Sequence, residues 1–488
     1  MAGLSATSHR RAVIDIGSNS IRLVVFAADR RVPTTLFNEK VSANLGRNLQ
    51  EKGKIGSGAF ENGIRGLARF ALLIEAMDVD SVLCVATAAV RDASNGPHFI
   101  ERVRALGLEP QVLSGTEEAA ASAMGVLSAF PGAAGLVADL GGGSLELVEI
   151  SGGTHGSGVT LPLGTLRLAR MRESNRAGAT RQSRALIQRH VARGLAQGRP
   201  LYLVGGSWRA LTLFAMTQID WPLRSPHGFV QAADAPAHLV NVLAHTLPRS
   251  LTKLRGISAS RLATLGDAAS VLSALVSHVR PGKLITSTFG LREGLMFDRL
   301  DAKTRAQDPL LSDLRDRLGS AAQGTMYGDG LDRWLEPVFP GEGAAIRRIR
   351  SAACWLALAA RQPDRPERKS RVIELALRER LIGIDETGRA MLAAALLSFV
   401  GERTVPDSLT RLAPAADLAK AGRWGHLMRL AEKISGARAM LLERTAIKVE
   451  GERLVLDLGD ARALYGEAAE VQHRATATAL GLVAGLAS

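Results

Sequence analysis

The chain has 488 residues, 46% hydrophobic and 22% charged, with a formal net charge of +14. This balance excludes extended disorder and provides for two to four domains at roughly 100 to 200 residues each. Its longest apolar runs, such as Met391–Leu397, fall far short of the ~20 residues of a membrane helix, and two cysteines, Cys84 and Cys354, make neither a disulfide framework nor a metal cluster.

The start, MAGLSATSHRR, lacks the apolar run of a signal peptide, so a cytoplasmic protein in a reducing compartment is expected. The basic charge has two readings, a surface that draws in a polyanion or plain solubility. The polyanion would be nucleic acid or a chain of phosphates. An aromatic content of only 4% argues against single-stranded nucleic acid, which prefers stacking platforms.

In chain order, RAVIDIGSNSIRLVVF (11–26) predicts a strand, a Gly/Ser/Asn turn and a second strand. A helix over 59–77, a buried strand in SVLCVATAAVRD (81–92) and a strand at 110–113 follow. VLSGTEEAAASAMGVL (112–127) starts as a strand and becomes a helix. VADLGGGSLELVEI (137–150) repeats the first hairpin at a constant offset, matching Asp15 with Asp139, Gly17 with Gly141, Ser20 with Ser144 and Leu23 with Leu147.

This duplication predicts two similar α/β lobes with a ligand between them. The second lobe continues through a helix at 180–197, the strand of PLYLVGGS (200–207), a helix near 261–278 and KLITSTFGLREGLM (283–296). After about Asp301, helical periodicity dominates, at 344–361, 370–382, 388–400, 408–420 and 424–446, with an alternating hairpin at 447–458. The expected domains are 1–126, 127–301 and a mostly helical 302–488.

Asp139-Leu-Gly-Gly-Gly-Ser144 is either a hairpin with glycines at positive φ or a nest of N–H groups for phosphate oxygens. The first hairpin and LVGGSW (203–208) place glycine and serine after two further strands, which favours the nest. Asp15 and Asp139 either cap their own turns or face phosphate across a cation, a setting that suits Mg²⁺. Ser114-x-x-Glu117 is a capping box, leaving Glu118, about 100° further round, as a solvated face residue or as a general base. Arg91 and Asn95 follow a strand. Arg292 is either a phosphate ligand or an ion-pair partner of Glu293 or another acid.

AVIDIGSNSIRL, ATAAVRDASNG, VLSGTEEA, VADLGGGSLEL, LPLGTLRL, LVGGSWRAL, PHGF and TFGLREGLM together resemble the exopolyphosphatase and guanosine pentaphosphate phosphohydrolase family, over about residues 11–300. The resemblance implies an α/β fold of two ribonuclease-H-like lobes, as in actin, sugar kinases and Hsp70, and Mg²⁺-dependent hydrolysis of a terminal phosphoryl group. It makes Glu118 the base and Asp139 a second catalytic residue. Asp139 and Glu146, with Asp15, would engage the metal. Ser18, Asn19, Ser20, Arg91, Asn95, Gly141, Gly142, Gly143, Ser144, Gly205, Gly206 and Ser207 would contact phosphate. Mg²⁺ is the expected cofactor, with Mn²⁺ and K⁺ as further candidates, and a homodimer is the expected assembly.

Two departures stand out. Trp208 replaces a small residue and is expected to alter the cleft beside the third glycine loop. Longer relatives carry a helical C-terminal domain with a metal-binding His-Asp pair, yet no histidine occurs between 279 and 425 here, so a degenerate version of that domain is expected. Its arginines and lysine (347, 348, 350, 361, 365, 368, 369, 371) form either a track for polyphosphate or a solvated basic face. Inorganic polyphosphate is the expected substrate. The alternatives are guanosine pentaphosphate, and a sensor or kinase-like protein without this hydrolysis; no acceptor site for a kinase is visible in the sequence.

Overall fold

The computed structural model describes residues 9–487 apart from 48, 175, 247–255, 320–321, 362–363, 365–366 and 403. Two compact units divide the chain, Ala6–Trp221 with Ser225–Gln307, and Asp308–Ser488 with Pro222–Arg224.

The first unit holds two sheets. Strands β1 (Arg10–Ile16), β2 (Ile21–Ala27), β3 (Thr34–Val41), β4 (Ser81–Ala86) and β5 (Pro110–Val112) lie in the order β3-β2-β1-β4-β5. β1 to β3 form an antiparallel meander, and β4 and β5 continue parallel to β1. The second sheet is built from β6 (Gly135–Leu140), β7 (Leu145–Ser151), β8 (Thr154–His155), β9 (Val159–Leu161), β10 (Pro200–Val204), β11 (Val230–Ala232) and β12 (Lys283–Thr286). It repeats the plan: β6 and β7 are an antiparallel hairpin, and β10 and β12 extend the sheet in parallel from β6. This is the ribonuclease-H-like lobe twice over, the actin-like ATPase fold.

Each lobe buries its central strands on both faces. In the first, Ile14, Ile16 and Leu23 pack under Phe60, Leu67 and Phe70 of α1 (Ser57–Ala76) and Phe99 and Val103 of α2 (Gly96–Arg104). In the second, Leu136, Ala138 and Leu203 pack beneath helices that start after the glycine loops.

The boundary expected at 126 falls inside a helix, α3 (Gly115–Ala129). Ala119, Ala123, Val126 and Leu127 of that helix pack on Val137, Val148 and Tyr202 of the second sheet. Burial of its apolar side there explains why the helix runs on past the expected boundary.

The second unit is helical, as its periodicity predicts. Its long helices are Ala344–Arg361, Glu386–Val400, Ala415–Ser435 and Glu467–Leu480. The two helices expected at 408–420 and 424–446 are instead one long helix, ended by Gly436 in the left-handed conformation (φ 60°) and flanked by single turns at Asp407–Thr410 and Ala439–Leu442. Pro414 starts it, where a missing N–H breaks no intrahelical bond. The expected hairpin is present as β13 (Ala446–Glu450) and β14 (Arg453–Asp457), joined by β15 (Val483–Leu486) in parallel to β14.

Candidate active site

The two hairpins have the same turn. Gly17 N–H donates to Ser20 O at 3.1 Å, and Gly141 N–H donates to Ser144 O at 3.0 Å. In register, Asp15 faces Arg22 across the first hairpin, while Asp139 faces Glu146 across the second. The duplicated positions therefore carry opposite charges beside their aspartates.

The loops meet at a cleft of about 380 Å³, lined by Ser18–Ser20, Gly141–Ser144 and Gly205–Ser207. Their approach is close: a Cβ on Gly143 would stand 2.8 Å from Ser18 Oγ, and one on Gly142 would stand 3.0 Å from Asn19 Nδ2. Gly205, at φ 105°, lets the third loop pass Leu140 O, which a Cβ would meet at 2.4 Å. Gly205 is also the N-cap of Gly206–Gln218, so that helix begins at the cleft.

Ser114 and Glu117 form the expected capping box: Glu117 accepts from Ser114 N–H at 2.7 Å, and Glu117 N–H donates to Ser114 Oγ at 3.2 Å. Glu118 is buried and lines the cleft. Arg91 Nη1 donates to Leu113 O at 2.8 Å and to Glu118 Oε2 at 3.4 Å. Burial, reinforced by the charge of Asp139 and opposed by Arg91, pushes the Glu118 carboxyl up to about 7.

Asp139, deep in the cleft, is also held above the usual carboxylate range, by burial against the opposing hydrogen bond from Ser122. Burial and then the charges of Glu118 and Asp139 raise Glu146 well above its ordinary value. One oxygen of Glu146, Oε1, is buried without a hydrogen-bond partner. The charge of Asp139 raises both Glu118 and Glu146, and Glu118 raises Glu146 further, so acids lie close together here. Among the described residues no three or more His, Cys, Asp or Glu side chains are grouped to hold a metal ion. An ion here would then keep waters and phosphate oxygens in its shell, as Mg²⁺ does. Asp139 and Glu146 fit such an ion.

Several expected site residues have other positions or partners. Asp15 lines the cleft, but Arg292 Nη1 lies 3.7 Å from its Oδ2, so the acid faces a cation the protein already supplies. Arg292 thus has an acid other than Glu293 as its partner and still lines the cleft, while Glu293 accepts from Gly290 N–H. Asn95 does not line the cleft; its side-chain amide bonds both the N–H (2.8 Å) and the O (3.0 Å) of Ile55. Arg91 and Glu146 are not among the lining residues, but each neighbours one that is, Arg91 beside Glu118 and Glu146 beside Asp139. Trp208 does not line the cleft: it is fully buried in the second lobe, and its Nε1 donates to Ala268 O at 3.2 Å.

Sequence reading missed Arg22, Lys40, Arg209 and Arg261, which line the cleft together with Arg292. Burial and then the repulsion of Arg292 and Arg261 lower Arg209 to about 10. The only local signal was an arginine shortly after two of the glycine turns.

Most cations of the C-terminal run have acidic partners. Arg350 is buried, bonded to Asp332 Oδ1 at 2.7 Å and Glu342 Oε2 at 2.9 Å. Arg347, Arg348, Arg361, Lys369 and Arg371 each pair with a carboxylate of the same unit. Arg365 lies outside the described residues.

The profile of the Ppx/GppA phosphatase family matches residues 24–303. The chain belongs to the Ppx/GppA phosphatase family. It is 26% identical to exopolyphosphatase 1 of Mycobacterium leprae over 322 residues, covering 64% of this chain and 95% of that protein. Exopolyphosphatase 1 of Mycobacterium tuberculosis is 27% identical over 307 residues, or 60% of this chain and 89% of the relative. A crystal structure of an exopolyphosphatase-like protein superposes with a TM-score of 0.53 at 25% identity, over 59% of this chain and 97% of that one. The Aquifex aeolicus Ppx/GppA family member superposes at 0.51 and 23% identity, over 59% and 96%. The Ppx/GppA match ends just before the helical unit begins. Among the described residues no helix is long and apolar enough to cross a membrane.

Proposed function

We propose that this Ppx/GppA protein is an exopolyphosphatase that releases orthophosphate from the end of inorganic polyphosphate in the cytoplasm. The observation that carries the reading is a buried glutamate, Glu118, facing the same cleft as three glycine-serine loops and five cations. The loops suit the oxygens of a terminal phosphate, and Arg22, Lys40, Arg209, Arg261 and Arg292 suit the charge of the chain behind it. The curated relatives named exopolyphosphatase favour polyphosphate over guanosine pentaphosphate.

In this reading Glu118 takes a proton from water, the water oxygen bonds to the terminal phosphorus, and the bridging P–O bond breaks. The products are orthophosphate and a chain one phosphate shorter. Such transfer needs alignment and charge neutralisation more than covalent chemistry. Arg91 keeps the Glu118 carboxyl directed, and the loops fix the phosphate. Mg²⁺, held by Asp139 and Glu146, would supply positive charge to the phosphate oxygens.

Phosphate release from long polyphosphate and from guanosine pentaphosphate, with wild type and Glu118→Gln side by side, tests the assignment. Polyphosphate should be the better substrate by kcat/KM, and the variant should lose roughly 10²–10⁴-fold in kcat while remaining folded. Full activity in the variant rejects Glu118 as the base, and preference for the nucleotide rejects the substrate.

A further inference from the structure

Helix α3 carries two buried serines that behave differently. Ser128 Oγ donates to Gly125 O of its own helix at 2.7 Å, the local bond a helical serine ordinarily makes. Ser122 Oγ instead reaches across to β6 and donates to Asp139 Oδ2 at 2.5 Å. Ser122 is fully buried and stands one turn beyond Glu118 on the same helix. One helix therefore carries both the proposed base and the hydroxyl that grips the neighbouring acid.

The setting leaves little freedom. A Cβ on Gly205 would lie 3.0 Å from Asp139 Oδ1, and one on Gly290 would lie 3.7 Å from Oδ2. The helix is itself fixed close by, since a Cβ on Gly125 would stand 2.2 Å from Gly290 O, and one on Gly294 would stand 1.7 Å from Ala121 O. A hydroxyl on such a support can hold a carboxylate in one rotamer, and groups that orient a metal-binding carboxylate govern metal affinity.

We propose that Ser122 is a positioning residue: by donating to Asp139 Oδ2 it commits that oxygen and presents Oδ1, on the Gly205 side of the cleft, to the divalent cation. The proposal rests on the reading of Asp139 as a metal-binding acid. Its test therefore includes a measurement that needs no turnover.

Mn²⁺ alone is titrated into the full chain without substrate, followed by electron paramagnetic resonance of the free ion. The Mg²⁺ concentration for half-maximal phosphate release is measured in parallel. Ser122→Ala should weaken Mn²⁺ binding and raise the half-saturating Mg²⁺ by roughly tenfold or more, with KM for polyphosphate at saturating Mg²⁺ little changed. Ser128→Ala should shift neither. In an Asp139→Asn background, Ser122→Ala should have no further effect on Mn²⁺ binding. A folded Ser122→Ala protein with wild-type Mn²⁺ binding overturns the proposal, as does an undiminished effect in the Asp139→Asn background. If the alanine variant does not fold, Ser122→Thr takes its place: it keeps the hydroxyl and should bind Mn²⁺ as wild type does, and a folded threonine variant weakened tenfold overturns the proposal. Absence of phosphate release from wild type under any metal would refute the exopolyphosphatase reading, while the Mn²⁺ titration would still decide the role of Ser122.

Discussion

Glu117 and Glu118 are neighbours with the same side chain, separated by their surroundings. Glu117 is exposed, and its hydrogen bonds from Ser114 draw its carboxyl below the usual range; Glu118 is buried and pushed up to about 7. The first assignment was readable because both partners of a capping box lie within one turn. The direction of Trp208 was not, because it depends on a helix some sixty residues away that offers Ala268 O as its acceptor.

A similar contrast between burial and pairing governs Asp313 in the helical unit. Burial pushes it up to about 6 despite Arg317 at 3.0 Å. An acid whose folded pKa exceeds its unfolded value holds its proton more tightly when folded. Its ionisation therefore removes stability as pH rises from about 4 through 6, by about 3 kcal/mol at most. Urea unfolding across that range should show the decline in wild type and a flatter profile in Asp313→Asn. Identical slopes would contradict this origin.

At the scale of elements, the two hairpins were legible because strand, turn and strand sit in a single short stretch and occur twice. The boundary between the lobes was not. Helix α3 looks from the sequence like the end of the first lobe, yet it packs on the second sheet. Met296, near the chain end of the same unit, packs in turn with Val13, Val24 and Phe26 of the first. The segment Leu291–Phe297 that carries Met296 crosses α3 where small residues let backbones touch. Gly125→Ala would force a Cβ to within 2.2 Å of Gly290 O, and the expected loss is about 1–3 kcal/mol in denaturant unfolding, with reduced turnover because Glu118 rides on the displaced helix. Gly58→Ala, on an exposed helix face with nothing within 4 Å of the new methyl, should be neutral or slightly stabilising.

For the whole molecule, the net charge of +14 says little until each cation is placed. In the C-terminal unit five of the run's cations are ion-paired, and Arg350 is enclosed by two acids. In the cleft, five cations converge from separate parts of the first unit, from Arg22 to Arg292. Spacing in the sequence reveals neither arrangement, because both depend on contacts between distant segments. KM for long polyphosphate should accordingly rise with ionic strength, as screening weakens the cleft's attraction. Arg350→Ala should leave that salt dependence unchanged while destabilising the protein by about 3 kcal/mol, through the buried Glu342 and the half-buried Asp332 left without their partner. A change in the salt dependence, measured on folded variant, would restore Arg350 to the substrate path.

The opposite charges at the duplicated positions, Arg22 beside Asp15 and Glu146 beside Asp139, break the symmetry of the duplication. Two copies of one hairpin would present the same charge pattern twice. With an arginine in one copy and a glutamate in the other, the first hairpin sets a cation beside its aspartate and the second sets another acid there, so the two halves of the cleft cannot treat a bound anion alike.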